Sequence, residues 1–444
     1  MFPVPPPGFI YMPYPPMTPP VAASGSAGEL GVPPSPTPGS QPHPPLLPPP
    51  HLIPYPPPPL YPHPVMSPFS GHSYNPAVIQ ADGNPRSIYL RHRNRVPWKL
   101  RRYVWGVVGL HEEIEDFIKF MQPTEAEQAM RDDVVWRIRQ VVQDLWPSAK
   151  LETFGSYNTG LYLPDGDIDM VILGQWEQLP MWQLRNKLVE RRIAREENIT
   201  VIEKAVVPII KLIESNTLVH VDISFNTSNG REAAALVKKY MAEYPNLKQL
   251  VVLLKYILNH RGLNEVWKGG LGSYALTLLV VNFLQQHSRE NAKKDGENLG
   301  VLLLEFFELY GRQFNYETCG IRIRDEAGYI PIDTLRKQMN AHGTKYGPLC
   351  IEDPLNTTND VGRSTFQWKH VQACFDHCCR KLKKALEEQP DPAMRGGTLL
   401  GHILGVPDDL LLYRRWCDTS FNPDHLLAVR KSKNSVTSSS DESE

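Results

Sequence analysis

Cysteine is scarce in this sequence of 444 residues, which contains six cysteines and no C-x-x-C pair. A disulfide framework and a zinc ribbon both need more cysteines at regular spacing, so neither is predicted. The run CFDHCC at 374–379 follows a helical pattern and has no matching second pair, which leaves zinc there a disfavoured alternative. We therefore expect reduced thiols in a cytosolic or nuclear protein.

Long apolar runs are also missing. The longest, YALTLLVVNFL at 274–284, has polar flanks and is too short to cross a bilayer. The N-terminal run MFPVPPPGFIYMPYPP has neither the basic region nor the continuous apolar region of a secretory signal. We expect a soluble intracellular protein with no membrane partner.

Lysine and arginine are absent from residues 1–85, which hold 29 of the 43 prolines. Such a segment cannot bury enough apolar area to offset the entropy of ordering it. We predict a disordered proline-rich arm at 1–88 and a disordered acidic, serine-rich tail at 426–444.

Basic residues concentrate in YLRHRNRVPWKLRRYVW at 89–105. The whole chain carries a net charge of −1, so its bulk charge does not indicate a nucleic-acid-binding protein. The basic run could be a nuclear-import signal, a phosphate-contacting arm or a plain solvated segment. It begins a helical segment, 89–122, which we expect to pack on a central helical domain.

The hydrophobic period changes twice along the folded part. Thr124 and Glu127 have the spacing of a capping box at the start of an amphipathic helix. Short β-branched runs follow, with a helical stretch among them, which is the pattern of an α/β sheet layer. Later residues are helical almost throughout. We predict an α+β fold in which an α/β catalytic domain, 123–230, packs on a larger helical domain, 231–425, with a substrate cleft between them.

Three carboxylates occupy strands that otherwise have buried character. Asp167 and Asp169 begin the strand in FGSYNTGLYLPDGDIDMVIL (154–173), and alternate side chains of a strand share one face. Asp222 lies in LVHVDISF (218–225). Converging carboxylates repel one another unless a cation lies among them, and Mg²⁺ prefers such oxygen ligands. The sequence therefore predicts a divalent-cation site that acts on phosphates.

Gly155 and Ser156 follow a short strand and begin a turn or helix. A glycine lets the backbone approach a phosphate, to which the serine hydroxyl and free amides can donate hydrogen bonds. Each motif alone is weak, because Gly-Ser is usually a turn and an Asp-x-Asp pair is often a strand-end pair. Their combination, with a third aspartate in a later strand, is far more specific.

That combination resembles the nucleotidyltransferase superfamily that includes DNA polymerase β. Within it the sequence resembles the nuclear non-canonical poly(A) polymerases, a group once also called DNA polymerase sigma. The resemblance covers about residues 90–420 and rests on FGSYNTGLYLPDGDIDMVIL, VDISFNTSNG, LKYILNHRGLNEVWKGGLGSYALTLLVVNFLQ and IEDPLNTTNDVGRSTFQ. It implies a palm-like nucleotidyltransferase domain packed on a helical poly(A) polymerase-associated domain.

The resemblance assigns roles to the residues of the sheet layer. Asp167 and Asp169 would hold both metal ions, Mg²⁺ or Mn²⁺. Asp222 would complete the site of the attacking hydroxyl and help to deprotonate it. Gly155 and Ser156 would hold the β- and γ-phosphates of ATP.

The helical domain would supply further nucleotide contacts. By the resemblance, Lys255 would meet the triphosphate with the assistance of Ser273, Tyr274 would stack on the base, and Gly230 would line the ribose side. Without the resemblance, Lys255 could extend toward solvent and Tyr274 could be a core residue.

The loop NDVGR carries Asn359 and Arg363, which match the family's nucleotide-recognition motif and would read the base or brace its pocket. Arg363 could instead pair with a surface acid. Uridine-adding relatives place a histidine in this loop, and residues 352–363 contain none. This difference favours ATP.

We predict template-independent addition of AMP from ATP to RNA 3′ ends, in RNA processing, surveillance or decay. The alternatives are a mixed or uridine-adding enzyme and an inactive scaffold for RNA decay. No RNA-recognition module is recognisable in the sequence. We therefore expect a separate RNA-binding subunit, and the resemblance implies a zinc-knuckle RNA-binding partner and RNA helicase or exosome machinery. The expected location is the nucleus, nucleolus or nucleoplasm, with the cytoplasm as a further possibility.

Overall fold

A computed structural model describes residues 96–205, 207–288, 296–324, 327–339, 347–388 and 397–421. The arm predicted at 1–88, the first part of the basic run and the tail predicted at 426–444 lie outside the described residues. No helix within the described ranges is long and apolar enough to span a membrane.

The described ranges contain helices and strands that we number in chain order. The helices are α1 (Val107–Met121), α2 (Glu125–Leu145), α3 (Gly155–Thr159), α4 (Met181–Glu190), α5 (Asn229–Glu243), α6 (Leu247–Asn259), α7 (Ser273–Gln286), α8 (Leu299–Glu308), α9 (Ile332–Gln338), α10 (Trp368–Glu387) and α11 (Asp408–Ser420). The strands are β1 (Lys150–Phe154), β2 (Ile168–Leu173), β3 (Ile199–Ile202), β4 (Ile209–Ile213), β5 (His220–Phe225), β6 (Cys319–Arg322), β7 (Gly328–Pro331), β8 (Glu352–Asp353) and β9 (Asn356–Asp360).

One mixed sheet of five strands carries the predicted acids. Its order is β1-β2-β5-β4-β3, and only the central pair β2–β5 is parallel. The buried face of the sheet packs on α2 and α4 and forms one hydrophobic core. The α/β layer expected from the changing period is therefore present.

Helix α2 begins with the capping box that the sequence predicts. The Thr124 hydroxyl accepts a hydrogen bond from the Glu127 amide at 3.2 Å, and the Glu127 carboxylate accepts one from the Thr124 amide at 2.7 Å. Met130, Val134 and Ile138 form its buried stripe. A capping box satisfies two backbone donors that would otherwise lack partners, so the start of α2 is fixed by the local sequence.

A second hydrophobic core is helical and is built mainly from α1, α6, α7, α8 and α10. The sequence predicts helices almost throughout this region, but the structure also contains two hairpins, β6–β7 and β8–β9. The hairpin β8–β9 includes Asn359, which therefore lies in a strand and not in the expected loop. Its strand β9 is mostly exposed and polar, so it lacks the apolar alternation by which strands are recognised.

The first and last helices pack on different cores. Helix α1 belongs to the helical core, whereas Tyr413 and Cys417 of α11 are buried in the core beside the sheet. The Arg414 guanidinium also pairs with Glu127 of α2 at 3.2 Å. The end of the described chain thus returns to the sheet layer, and the predicted domain boundaries stay a prediction.

Candidate active site

Asp167, Asp169 and Asp222 come together near the starts of the central strands β2 and β5. We call this end of the two strands the sheet edge. Asp169 lies directly opposite Asp222 on the parallel pair β2–β5. Asp167 precedes Asp169 by two residues and shares its face, because side chains alternate along an extended chain. Each of the three offers a carboxylate oxygen within 4.8 Å of the others. This donor set suits a hard divalent cation, which binds several carboxylate oxygens together.

Two of these carboxylates, Asp169 and Asp222, have raised pKa values. Burial, with the neighbouring charges of Asp167 and Asp222, raises the pKa of Asp169 to about 8. Burial also raises the pKa of Asp222, against the opposing charge of Lys211. At neutral pH and without a cation, Asp169 therefore holds a proton that a bound cation must displace.

Two lysines, Lys211 and Lys255, lie near the acids. Lys211 lies opposite Asp222 on the neighbouring strand β4, and the two side chains form an ion pair. Burial lowers the pKa of Lys255 on α6, while the nearby charges of Asp167, Asp165 and Asp169 oppose this shift. Lys255 therefore lies near the acids, and its side chain is only partly exposed. Its predicted role at the triphosphate stays a prediction.

Gly155 packs directly against an acid. Its φ is +63°, and a Cβ atom there would lie 2.0 Å from Asp169 Oδ2. Only glycine combines this backbone conformation with such a close approach. Ser156 follows in the first turn of α3, and its carbonyl accepts a hydrogen bond from the Leu161 amide at 3.0 Å.

Gly230 has a packing role that the sequence does not suggest. A Cβ atom at this position would lie 2.4 Å from the ring of Phe154, which ends β1 beside Gly155. The absence of a side chain thus lets α5 lie against the strand that leads into the Gly-Ser turn. The ribose contact predicted for Gly230 stays a prediction.

Helix α6 holds the segment that leads to the acids. Lys255 Nζ donates to the Leu161 carbonyl at 3.2 Å, and Asn259 Nδ2 donates to Asp165 Oδ2 at 2.9 Å. Lys255 and Asn259 are four residues apart, on the same face of the helix. The helical core therefore contacts this segment, residues 161–167, through two side chains of one helix.

Two of the three predicted base-contacting residues, Tyr274 and Asn359, meet at Asp353. Tyr274, at the start of α7, donates its hydroxyl hydrogen bond to Asp353 Oδ1 at 3.2 Å. Asn359 Nδ2 donates to Asp353 Oδ2 at 2.9 Å. Burial, together with the Asp353 charge, raises the pKa of Tyr274. One carboxylate therefore orients both side chains.

Ser273 and Arg363 are both exposed. Ser273 is the first residue of α7, and its carbonyl accepts a hydrogen bond from the Thr277 hydroxyl at 2.8 Å. Arg363 lies just after β9, where its amide donates to the Asp360 carbonyl at 3.3 Å. The phosphate and base contacts of these two residues stay predictions.

Sequence reasoning missed several residues of this site. Asp353, Asn259 and Lys211 each bond directly to a predicted residue or to the segment 161–167. Lys211 gave the clearest signal, because it is a charged residue within the apolar strand sequence VVPIIKLI. Asp353 lies in the quoted stretch IEDPLNTTND, but only the folded hairpin shows what it contacts.

A sheet edge with three converging carboxylates, beside a glycine turn suited to phosphates, defines a nucleotidyltransferase. Two family models match the chain: the central palm domain of mitochondrial-like poly(A) RNA polymerase over residues 110–242, and Cid1 family poly A polymerase over 298–359. The first match contains all three aspartates of the site. The second ends at Asn359.

Similar proteins extend these matches over most of the described chain. An inactive non-canonical poly(A) RNA polymerase of Drosophila melanogaster, Trf4-2, is 37% identical over 340 residues, which are 74% of this chain and 82% of that protein. Poly(A) RNA polymerase cid14 of Schizosaccharomyces pombe is 38% identical over 320 residues, or 69% of this chain. This chain spans 46% of the length of cid14.

A solved structure, the polymerase core of the RNA surveillance complex TRAMP, matches with a TM-score of 0.62 and 33% identity. The match covers 71% of this chain and 98% of that chain. The protein therefore belongs to the non-canonical poly(A) RNA polymerase family. The family and the fold class that the sequence predicts are both confirmed.

Proposed function

We propose that the protein is an active polynucleotide adenylyltransferase that adds AMP from ATP to the 3′ ends of RNA without a template. Trf4-2, one of the similar proteins, is named as inactive, so membership of the family does not by itself establish activity. The observation that best supports activity is that ligand atoms of the three carboxylates lie within 4.8 Å of one another. Such mutual repulsion is compatible with a stable fold chiefly where a cation is bound.

In this proposal Asp167 and Asp169 hold the divalent cations and Asp222 completes the site. Bound Mg²⁺ or Mn²⁺ supplies positive charge to the phosphates and makes the attacking hydroxyl more acidic. Asp222 accepts the proton of the RNA 3′ hydroxyl as that oxygen attacks the α-phosphorus of ATP in line. Pyrophosphate leaves, and no covalent enzyme intermediate forms.

The remaining predicted residues hold ATP in place. Gly155 and Ser156 donate hydrogen bonds to the β- and γ-phosphates, and Lys255 and Ser273 neutralise and bind the triphosphate from the helical side. Gly230 lines the ribose. The protein thus contributes positioning and charge neutralisation.

The base is held by the side chains around Asp353. Tyr274 stacks on it, while Asn359 and Arg363 read its edge or brace the pocket. The absence of histidine from 352–363 supports ATP over UTP. A uridine-adding or mixed enzyme is the second candidate, since stacking on Tyr274 would accept any base.

The experiment that tests this function is extension of a single-stranded RNA primer by the purified protein, with each of the four nucleoside triphosphates supplied separately. Mg²⁺ and Mn²⁺ are compared in parallel. We expect long extension with ATP and little with the other three. Equal use of all four would favour the mixed enzyme, and no extension with either cation would favour the inactive scaffold.

The protein is further proposed to work in the nucleus with a zinc-knuckle RNA-binding partner and with helicase or exosome machinery. The similarity to the TRAMP polymerase core supports this assignment. Charge supports it as well, because the basic residue Arg101 is engaged by Asp116 at 2.9 Å and Glu112 at 3.3 Å. Of the three basic residues in the described part of the basic run, Lys99, Arg101 and Arg102, Arg101 is therefore less available to RNA phosphates.

Fluorescence anisotropy with a short labelled single-stranded RNA tests the need for a partner. At physiological salt the isolated protein should bind with a Kd of about 1 µM or weaker, as expected for non-specific phosphate contacts. Tight, salt-resistant binding by the chain alone would contradict the partner proposal.

A further inference from the structure

The segment from Leu161 to Asp167 connects α3 to β2 and lies outside helix and strand. Asp167, one of the three acids, is its last residue. A segment without a regular backbone hydrogen-bond pattern depends on side chains to hold its shape. The repulsion among the acids favours any movement that separates them, so the position of this segment determines the geometry of the site.

Arg131 of α2 reaches this segment from inside the sheet layer. Its Nη1 donates to the Gly166 carbonyl at 2.8 Å, and its Nη2 donates to the Pro164 carbonyl at 2.6 Å. The guanidinium carbon lies 4.8 Å from the centroid of the Tyr162 ring. One buried side chain, 2% exposed, thus contacts three of the five residues that precede Asp167.

The geometry suits arginine in particular. The planar guanidinium presents two N–H groups in a fixed fork, which can bind two carbonyls at once and lie on an aromatic ring. Gly166 directly precedes Asp167, so the bond to its carbonyl fixes the peptide unit that leads into the acid. The contacts of Lys255 and Asn259 with Leu161 and Asp165 hold the same segment from the helical core.

We propose that Arg131 is a positioning residue for the cation site: it fixes the backbone of residues 164–166 and thereby the place of Asp167 beside Asp169. This inference rests on the proposed function only in taking the three aspartates as cation ligands. Arg131 touches neither RNA nor nucleotide in this assignment. It acts through the backbone of the segment.

Arg137, six residues further along α2, is a matched control. It is also mostly buried, with 19% of its side chain exposed, and it forms ion pairs of 2.7 Å with Asp133 and Glu214. Its partners do not include the segment 161–167. Loss of Arg137 therefore reports what a buried arginine of α2 contributes to stability alone.

The test compares full-length wild type with Arg131→Lys, Arg131→Met and Arg137→Met. Mn²⁺ binding to nucleotide-free protein is titrated by electron paramagnetic resonance, thermal unfolding is recorded, and kcat and KM for ATP are measured over a range of Mn²⁺ concentrations. Since residues that orient metal ligands affect metal affinity by about 10–100-fold, Arg131→Met should weaken Mn²⁺ binding by that factor. Arg131→Lys should lie between, because an ammonium group cannot bond both carbonyls in the same geometry.

Arg137→Met should lower the melting temperature yet leave Mn²⁺ affinity within about twofold of wild type, as independent sites do. Activity of the Arg131 variants should partly recover at high Mn²⁺. Folded Arg131 variants with wild-type Mn²⁺ affinity would overturn the inference. A loss of Mn²⁺ affinity in Arg137→Met as large as that in Arg131→Met would overturn it as well. If Arg131→Met does not fold, Arg131→Lys decides. A wild-type protein that binds no Mn²⁺ and extends no RNA would instead refute the proposed function.

Discussion

Carboxylates have opposite surroundings in two regions of the molecule. One region is the sheet edge with its three aspartates, and the other is the cluster around Asp353 in the helical core. At the sheet edge, burial and two neighbouring carboxylates raise the pKa of Asp169 to about 8. In the helical core, the single carboxylate of Asp353 accepts hydrogen bonds from Tyr274, Asn359 and the Leu355 amide. At the sheet edge the protein compensates the repulsion among the carboxylates only in part. At Asp353 the carboxylate has its hydrogen-bond partners within the protein.

This difference indicates which part of the site depends on a bound group. A repulsive set of acids gains stability when a cation enters, so cation binding and site geometry are coupled there. The hydrogen bonds of the Asp353 cluster are already made, so in the proposed function it presents Tyr274 and Asn359 in a fixed arrangement before a nucleotide binds. Variants at the sheet edge should therefore have large effects that depend on cations, whereas variants at Asp353 should have small effects that do not.

The largest effect is expected from the double variant Asp167→Ala with Asp169→Ala. Loss of the cation ligands removes several kcal/mol of charge stabilisation in the transition state, so primer extension should fall about a thousandfold or more. Because a repulsive pair has been removed, the cation-free variant should melt at the same temperature as wild type or higher.

The control for this variant changes Glu196 and Glu197, two acids of the 3-10 turn before β3, to alanine. It alters net charge equally and should retain activity. Near wild-type extension by the aspartate variant would show that the catalytic assignment is wrong.

A loss of about a hundredfold is expected for Gly155→Ala. The added Cβ would lie 2.0 Å from Asp169 Oδ2, and a displacement of about 1 Å in a catalytic group can reduce the rate by this factor. Gly160→Ala is the matched control, since Gly160 also has a positive φ, +71°, but has nothing within 4 Å of the added atom. Both variants carry backbone strain, and only the first one moves the acid. Equal kcat values for the two would contradict the close packing of Gly155 on Asp169.

A separate effect, on stability and not on the rate, follows from the raised pKa of Asp169, which is about 8 in the folded protein against an ordinary value of 3.8. At a pH between these two pKa values, Asp169 keeps its proton in the folded protein and loses it in the unfolded chain. This residue therefore makes cation-free protein less stable as pH rises from about 4 to 8, and has no further effect above that.

Asp169→Asn removes the titration, so its melting temperature relative to wild type should increase over that pH range. Adding Mn²⁺ at pH 8 should stabilise wild type and not the variant. A difference in melting temperature that is constant with pH would show that Asp169 titrates normally.

The contrast between the two regions also explains what the sequence could predict. The capping box of α2 and the strands β2 and β5 were recognisable because local patterns fix them. The three aspartates were recognisable because charged residues conflict with their buried strands. Asp353 gave no such conflict, since it lies in a short hairpin whose second strand is exposed and polar.

Contacts between distant parts of the chain were beyond sequence reasoning. Arg131 and Gly166 are 35 residues apart, and Asn259 and Asp165 are 94 apart. Nothing in the local sequence of either partner indicates the other. An arginine on an amphipathic helix is ordinarily a solvent-facing residue, and only the fold shows that Arg131 is buried against the segment 161–167.

The smallest effect is expected for Tyr274→Phe, which keeps the aromatic ring and removes the hydroxyl that contacts Asp353. Loss of one hydrogen bond corresponds to about 0.5–1.5 kcal/mol, so KM for ATP should rise by a few-fold. Because Asp353 also orients Asn359, the preference for ATP over UTP should narrow as well. Tyr274→Ala should have the larger effect on every nucleotide, since base–aromatic stacking contributes about 1–3 kcal/mol whatever the base.

Tyr316→Phe removes a hydroxyl bonded to the Tyr310 carbonyl at 2.7 Å elsewhere in the helical core, and it should leave both KM and the nucleotide ratio unchanged. These effects should be independent of Mn²⁺ concentration, in contrast to those at the sheet edge. If the loss in Tyr274→Phe were instead recovered by added Mn²⁺, the two regions would not be separable in the way that their hydrogen bonds indicate.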